Sequence, residues 1–189
     1  MFRSLAFCLA LLGTLAVAPL LAPTPAVAQT AVRLTADERA GLEARVAEMT
    51  GYVDAGRFYA MMELIPPRLF STLAEHFGVD EAEARVGIRA GFQQMMSSVT
   101  IIEYEFDVDD ARAFVTPDGS RRYAFVDLTM LVEDEGLRVR TTTPNLTFVD
   151  DGVWYMIDVS EPAQAAMFRK AYPEFEGVEF AAGTMEIVE

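Results

Sequence analysis

Cysteine and histidine are almost absent from this chain. Among its 189 residues it has one cysteine, Cys8, and one histidine, His76. Cys8 falls in an N-terminal segment that we expect to be removed, which leaves the mature chain without a disulfide, a thiol nucleophile or a thiolate metal ligand. A single histidine without cysteine also argues against a zinc site, because carboxylates alone prefer harder ions.

Positive charge is scarce as well. The chain has 15 Lys and Arg residues against 29 Asp and Glu residues, a net charge of −14. A field of this sign repels nucleic-acid phosphates and anionic lipid heads, so we exclude nucleic acid as a partner and disfavour a peripheral membrane role. A cationic ligand or a basic partner protein is permitted, although acidity also keeps an exported protein soluble.

The N-terminal segment predicts export. Arg3 is followed by a nearly unbroken apolar run from Leu5 to Leu21, then by prolines and by the small residues Ala26–Val27–Ala28. This pattern is typical of a secretory signal peptide over residues 1–28, cleaved before Gln29. We expect a periplasmic protein, with secretion, or anchoring by an uncleaved segment, as the alternatives. Residues 29–173 then form one domain, and residues 174–189 an irregular C-terminal tail.

Apolar residues in the first half of the domain recur with a helical period. Thr35 and Glu38 form a capping box at the start of the first helix. Asp80 and Glu83 form a second cap further on, and Ser160 caps a short helix that runs to about Ala171. Helices are predicted from Thr35 to Gly56, over residues 57–64, from Pro66–Pro67 to Gly78, and from Asp80 to about Val99.

The period changes to two after residue 99, which indicates strands. Short turns such as Asp150–Asp151–Gly152 connect them, so we expect an antiparallel meander. Strands are predicted over residues 102–108, 111–116, 121–132, 137–149 and 153–159.

The fourth predicted strand changes phase. Leu137 and Val139 are apolar at odd positions, whereas Leu146 and Phe148 are apolar at even positions. We therefore predict a β-bulge near Thr143–Pro144, which would bend the sheet. The predicted class is α+β, with N-terminal helices packed in a strongly curved antiparallel β-meander.

The chain resembles the nuclear transport factor 2-like superfamily over about residues 35–160. The segment Phe148–Ile157, FVDDGVWYMI, is similar to the final hairpin of that family, in which a turn glycine precedes a tryptophan packed under the sheet. The segment Gly56–Pro67, a helix break followed by MELIPP, is similar to exported members. The resemblance implies a cone-shaped α+β roll with a pocket. It implies no single reaction, because this fold hosts enzymes, binding modules and assembly domains.

Enzymes of that family often use a His/Asp pair in the cone, yet neither residue type is well placed here. His76 lies near the end of a short helix, where a surface position favoured by the helix dipole explains it. Asp127 would act as a base only if it were buried. The even positions of its strand, such as Val126 and Leu128, are apolar and should face the core, which leaves Asp127 on the outer face with Thr129.

Three further groups of residues have structural explanations. Asp107, Asp109 and Asp110 lack the glycine and distal glutamate of a calcium loop and are interpreted as a turn. The pairs Met61–Met62 and Met95–Met96 could handle copper outside the cytoplasm but are more typical of core filling. Asn145 begins a glycosylation sequence inside a predicted strand, and we interpret it as chance. We therefore assign no catalytic, cofactor-binding or metal-binding residue and no cofactor.

The favoured hypothesis is an exported, non-catalytic domain that binds a small ligand or a partner protein. The alternatives are a lyase- or isomerase-like enzyme that uses a carboxylate and a tyrosine in the cone, or a structural dimer module. An apolar cone would favour binding, and a buried carboxylate within reach of Tyr104 would favour the enzyme. Whether the chain is an enzyme is left open, with a non-enzyme favoured.

The odd positions of the third predicted strand suggest an interface. Tyr123, Phe125 and Leu131 would be exposed on the outer face, which predicts a two-fold homodimer. The competing hypothesis is that Phe175 and Phe180 of the tail fold back over this patch within one chain. Trp154 is expected to be largely buried against the helices.

Overall fold

The computed structural model describes residues 29–97 and 99–188. The predicted signal peptide, residues 1–28, lies outside the described residues. Within these residues there are four α-helices, two 3₁₀ helices and six β-strands. A short strand comes first, three α-helices precede the four strands of the meander, and the fourth α-helix and a last strand follow them. This arrangement confirms the predicted α+β class with N-terminal helices and a curved antiparallel sheet. None of the helices in the described part of the chain combines the length and apolarity needed to cross a bilayer.

Local chemistry directs the start of the first helix and both ends of the second, but the helix that begins at Pro162 follows Glu161 without a side-chain cap, so the predicted cap at Ser160 is wrong. Thr35 and Glu38 form the predicted capping box, with each side chain accepting from the other's backbone N–H. Pro67 occupies the first turn of the second helix, and Gly78 ends it with a φ of 68° that a residue with a side chain rarely adopts. The helices are α1 (Ala36–Asp54), a 3₁₀ helix (Phe58–Leu64), α2 (Pro67–Phe77), α3 (Glu81–Met96) and α4 (Pro162–Ala171).

The sheet has the order β1-β2-β3-β4-β5, and every described pairing is antiparallel. β6 pairs with the first part of β4, and β5 with its second part, so both lie on the same side of that long strand. The strands are β1 (Thr30–Val32), β2 (Thr100–Val115), β3 (Arg122–Asp134), β4 (Leu137–Asp150), β5 (Val153–Asp158) and β6 (Thr184–Val188).

The first two predicted strands are one strand. One strand, β2, from Thr100 to Val115 joins the predicted strands 102–108 and 111–116, with a register shift between Asp107 and Arg112 in place of the predicted turn. Asp107 pairs with Asp127 of β3, whereas Arg112 pairs with Phe125, so β2 holds extra residues between these two pairs. The backbone N–H of Asp110 donates to Asp107 Oδ1 at 3.1 Å, which closes this bulge locally.

The predicted bulge at Thr143–Pro144 is wrong. β3 and β4 pair without a register shift through this point, with Thr143 opposite Leu128 and Pro144 opposite Asp127. The change of phase has another cause: the two ends of β4 contribute apolar side chains to opposite faces of the sheet. Leu146 lies on the face that α4 and the C-terminal segment cover. Pro144 lies between the part of β4 that pairs with β6 and the part that pairs with β5. No strand pairs with Pro144 on that edge of β4 among the described residues, so proline, which lacks a backbone N–H, is tolerated there.

Two apolar clusters cover the two faces of the sheet. We call the face that α1 covers the inner face: there, Val126 and Met156 pack with Leu42 and Met49 of α1. Trp154 lies on this side as well, where it packs against this cluster and against Gly41 of α1 with intermediate burial, so most of its surface is covered. On the outer face, Tyr123, Phe125, Leu146 and Phe148 pack with α4 and with residues that follow it, including Phe168, Tyr172, Phe175 and Val178.

The C-terminal segment is ordered, which corrects the prediction of an irregular tail. Phe175 is fully buried, and its ring lies 5.4 Å from the rings of both Tyr123 and Phe148. Tyr123 is therefore 1% exposed and Phe125 6% exposed within one chain, and Leu131 is buried as well. The exposed patch that predicted the homodimer does not exist, and the competing hypothesis of a covering tail describes the fold. The homodimer stays a prediction, but Tyr123, Phe125 and Leu131 cannot form its interface because they are buried.

Candidate functional site

A cavity of about 730 Å³ lies between the inner face of the sheet and the helices. α3 packs mainly on α2 and on the 3₁₀ helix and not on the sheet, which leaves space beneath it. Ile88, Phe92 and Met96 of α3 line one side of the cavity, and Leu128 and Met130 of β3 line the other. The volume falls in the range of small-molecule sites, about 300–1,000 Å³.

The wall of the cavity is mainly apolar and rich in methionine. Methionine has an unbranched, polarizable side chain, which lets an apolar surface adapt its shape to different ligands. The methionines of the wall come from α1, the 3₁₀ helix, α3, α4 and two strands. They are Met49, Met61, Met62, Met96, Met130, Met156 and Met167. Met61, Met62 and Met96, which we interpreted as core filling, therefore face this space.

Five polar side chains line the same cavity. His76, Asp158 and Gln164 are exposed, so they belong to its rim near α2 and α4. Asp158 Oδ1 accepts the backbone N–H of Ser160 at 2.8 Å, which fixes that carboxylate at the end of β5. Asn145 is 6% exposed, and its side-chain amide donates to the carbonyl oxygen of Thr143 at 3.1 Å.

The fifth polar side chain, Tyr104, is the one that the local structure does not satisfy. Its hydroxyl is buried and has no hydrogen-bond partner among the described residues. Burial raises the pKa of Tyr104 above its usual range, so the group keeps its proton. A buried hydroxyl without a partner destabilises the fold by about 1–3 kcal/mol. Its ring packs edge-on against Phe106 at 5.3 Å, which holds the side chain at the cavity wall.

No carboxylate lies within hydrogen-bond distance of Tyr104 in the part of the chain that the structure describes. The pairing of a buried carboxylate with this tyrosine was the feature that would favour an enzyme. His76 and Asp158 both lie at the rim, but each is exposed and no hydrogen bond joins them among the described residues. The arrangement offers adaptable apolar surface and one buried donor, which suits binding.

Asp127 lies on the outer face, as predicted. Its Oδ1 accepts from Arg112 Nη2 at 2.8 Å across the β2–β3 pair. About half of each side chain is exposed, so the pair is a surface ion pair of small energetic weight. The side chain of Asp127 points away from the cavity, because successive side chains of a strand point to opposite faces of the sheet.

The three aspartates that we interpreted as a turn also lie outside the cavity lining. Asp107 and Asp110 close the bulge of β2, and Asp109 lies 3.8 Å from Arg39 of α1. Across residues 29–97 and 99–188, no three His, Cys, Asp or Glu side chains are grouped closely enough to hold a metal ion.

A second recess of about 580 Å³ lies near the β3 and β4 ends and is polar. Its arginines are already paired. Arg121 Nη2 lies 3.2 Å from Asp150 and 2.9 Å from Glu174, and Arg122 donates to Glu38 at 2.7 Å and 3.0 Å. Tyr172 also donates to Asp150, at 2.9 Å. This network ties the C-terminal segment to the sheet, and we interpret it as structural.

Sequence patterns indicated the lining residues of α3 but not the cavity. The spacing of Ile88, Phe92 and Met96 marks an apolar helix face, and such a face is equally consistent with a filled core. No protein family, no characterised protein and no solved structure matches this chain. The resemblance to the nuclear transport factor 2-like superfamily therefore stays a prediction.

Proposed function

We propose that the chain is an exported, non-catalytic domain that binds a small apolar molecule in the cavity between α3 and the inner face of the sheet. The observation that carries this proposal is an apolar space of about 730 Å³ whose wall is built from methionine, leucine and aromatic side chains. If these side chains served only to stabilise the fold, we would expect them to fill this space, because protein interiors pack at high density.

The experiment is a binding titration with the apolar dye N-phenylnaphthylamine, whose emission rises in an apolar site. Ile88→Trp places an indole in the cavity, whereas Val86→Trp places the same indole on an exposed position of the same helix. We expect Ile88→Trp to weaken dye binding about tenfold, which corresponds to about 1.4 kcal/mol, and Val86→Trp to leave it unchanged. Equal affinities of the two variants, or no binding to the native chain, would contradict the proposal.

Export is supported by the pattern of residues 1–28 alone. N-terminal sequencing of the protein recovered from the extracytoplasmic fraction tests it, and the expected first residue is Gln29 or one within a few positions of it. Recovery of the intact chain from the membrane pellet, with Met1 as its first residue, would show an uncleaved anchor instead.

A further inference from the structure

We infer that the ligand of this cavity is an uncharged amphiphile: a long hydrocarbon chain that bears one oxygen function, such as an ester, and accepts a hydrogen bond from Tyr104. This inference rests on the proposed function and adds the chemical class of the ligand. Three features carry it, namely the charge of the wall, the unpartnered hydroxyl and an apolar extension of the sheet.

The enclosed part of the wall offers no partner to an anion, because His76, the basic side chain of the lining, is exposed at the rim, where an anion would remain in water. Among the described residues that line the cavity there is no Arg and no Lys, and Asp158 contributes a negative charge at the rim. The whole chain carries a net charge of −14. A carboxylate or phosphate in this space would lose its hydration without gaining an ion pair. The chain of a fatty acid fits the wall, but its ionised head does not.

A buried cation is disfavoured too. Asp158 is exposed, and its Oδ1 is already an acceptor for the backbone N–H of Ser160 at 2.8 Å. An ammonium group held there would remain at the surface, in water, where an ion pair contributes about 0–1 kcal/mol.

Tyr104 supplies the polar contact for an uncharged ligand. Tyr104 lines the cavity, and its hydroxyl is buried without a partner among the described residues. A ligand oxygen therefore reaches this hydroxyl where the flexible methionine side chains of the wall give way, and burial keeps the hydroxyl in its protonated, donating form. An ester or ketone oxygen accepts one hydrogen bond and needs no counter-charge. The carbonyl oxygen of one such group on an otherwise apolar chain therefore gives an acceptor to Tyr104, the buried polar side chain of the described wall that lacks a partner.

Apolar side chains extend the inner face past the cavity. Met185 of β6 lies opposite Thr141 of β4, which in turn lies opposite Met130, a residue of the cavity wall. Directly opposed residues share a face of the sheet, so Met185 continues the row of Met130. Met185 is 76% exposed and Ile187, two residues on, is 70% exposed. This strip gives a long chain apolar surface to follow beyond the enclosed space.

The experiment compares ligands of one chain length as competitors of N-phenylnaphthylamine: methyl dodecanoate, dodecanoate, dodecylammonium and dodecane. We expect the ester to compete at about tenfold lower concentration than either charged ligand. Tyr104→Phe removes the donor, and we expect it to weaken the ester about three- to tenfold, the range for loss of one hydrogen bond. Dodecane binding should not change, because dodecane has no acceptor.

Tyr123→Phe is the matched control, since Tyr123 also has a buried hydroxyl without a partner but lies in the outer-face cluster. It should leave the affinities of all four ligands unchanged. The inference is overturned if a charged ligand competes as well as the ester, or if Tyr104→Phe weakens ester and dodecane equally. Failure of the proposed function is a separate result, in which the dye itself does not bind in the cavity.

Discussion

Gly41 of α1 lies directly against the indole of Trp154. A Cβ atom built on Gly41 would lie 2.5 Å from Trp154 Nε1 and 2.9 Å from Cδ1, closer than side-chain atoms approach one another. Trp154 is the only tryptophan of the chain, and it lies on the inner face of β5. The absence of a side chain at Gly41 therefore sets how closely the first helix approaches the final hairpin.

Gly41→Ala should destabilise the fold, whereas Gly51→Ala in the same helix should stabilise it. Outside the local backbone of α1, no atom of the described residues lies within 4 Å of a Cβ at Gly51, so the substitution there gains helix propensity, about 0.5–1 kcal/mol. At Gly41 the same gain is opposed by overpacking, which costs about 1–3 kcal/mol. Urea unfolding measures both, and a change of Trp154 emission should accompany Gly41→Ala alone. Equal stabilisation by the two changes would mean that the indole moves aside freely.

Glu38 couples the start of α1 to β3 in a pH-dependent way. The hydrogen bonds from Arg122, with those from Thr35, hold the pKa of Glu38 below its ordinary value of 4.5. Because the folded-state pKa is the lower one, the charged form stabilises the fold. The contribution is complete at neutral pH and is lost as the pH falls from about 4.5 through the lowered pKa.

Glu38→Gln should therefore reduce the free energy of unfolding by about 1 kcal/mol at neutral pH. The difference from the native chain should shrink toward zero in acid, where protonated Glu38 resembles glutamine. Glu43→Gln is the control, since Glu43 makes only a distant contact of 3.9 Å with Arg39. Urea titrations at several pH values measure the difference. If the effect of Glu38→Gln were the same at neutral and acidic pH, the carboxylate would not be its source.

The C-terminal segment closes the outer face, and Phe175 is its central contact. Phe175→Ala should lower the free energy of unfolding by about 3–5 kcal/mol, because it opens a cavity among fully buried rings. Phe180 is only partly buried and lies over Arg169 at 4.4 Å, so Phe180→Ala should cost less. Urea unfolding compares them. Similar losses for both would indicate that the whole segment, and not Phe175, holds the face closed.

The start of the first helix was predicted well, because helix capping depends on residues that are close in sequence. Thr35 and Glu38 lie three residues apart, and their capping box forms without help from the rest of the chain. β4 shows the opposite case. Leu137 is 49% exposed and Val139 is half-buried opposite Ile187 of β6, whereas Leu146 and Phe148 are fully buried beneath α4 and the segment around Phe175. Alternation within a strand cannot tell a bulge from a change of buried face, and only tertiary packing distinguishes them.

The cavity illustrates the same limit. Tyr104 falls at an apolar position in the strand pattern, which predicts that its ring faces inward. The pattern carries no information on whether its hydroxyl meets a partner there. That depends on α3, a helix that packs on α2 and the 3₁₀ helix and leaves the inner face partly uncovered.

Tyr104→Phe should stabilise the unliganded protein. Its buried hydroxyl has no partner within residues 29–97 and 99–188, so its removal relieves a desolvation penalty, and we expect a gain of about 1 kcal/mol in the free energy of unfolding. Tyr123→Phe should give a similar gain, since burial without a partner also raises the pKa of Tyr123 to about 12. Thr147→Val should do the reverse, because the Thr147 hydroxyl donates to the carbonyl of Ala124 at 3.0 Å.

Saturating methyl dodecanoate should then separate the two tyrosines. The ester gives Tyr104 its missing acceptor, so the native chain should gain more thermal stability from the ligand than the Tyr104→Phe variant does, and the advantage of that variant should shrink. The advantage of Tyr123→Phe should persist, because that hydroxyl lies in the outer-face cluster and has no access to the ligand. Thermal unfolding with and without the ester measures both. If the ester stabilises the native chain and the Tyr104→Phe variant equally, its oxygen does not bind at Tyr104.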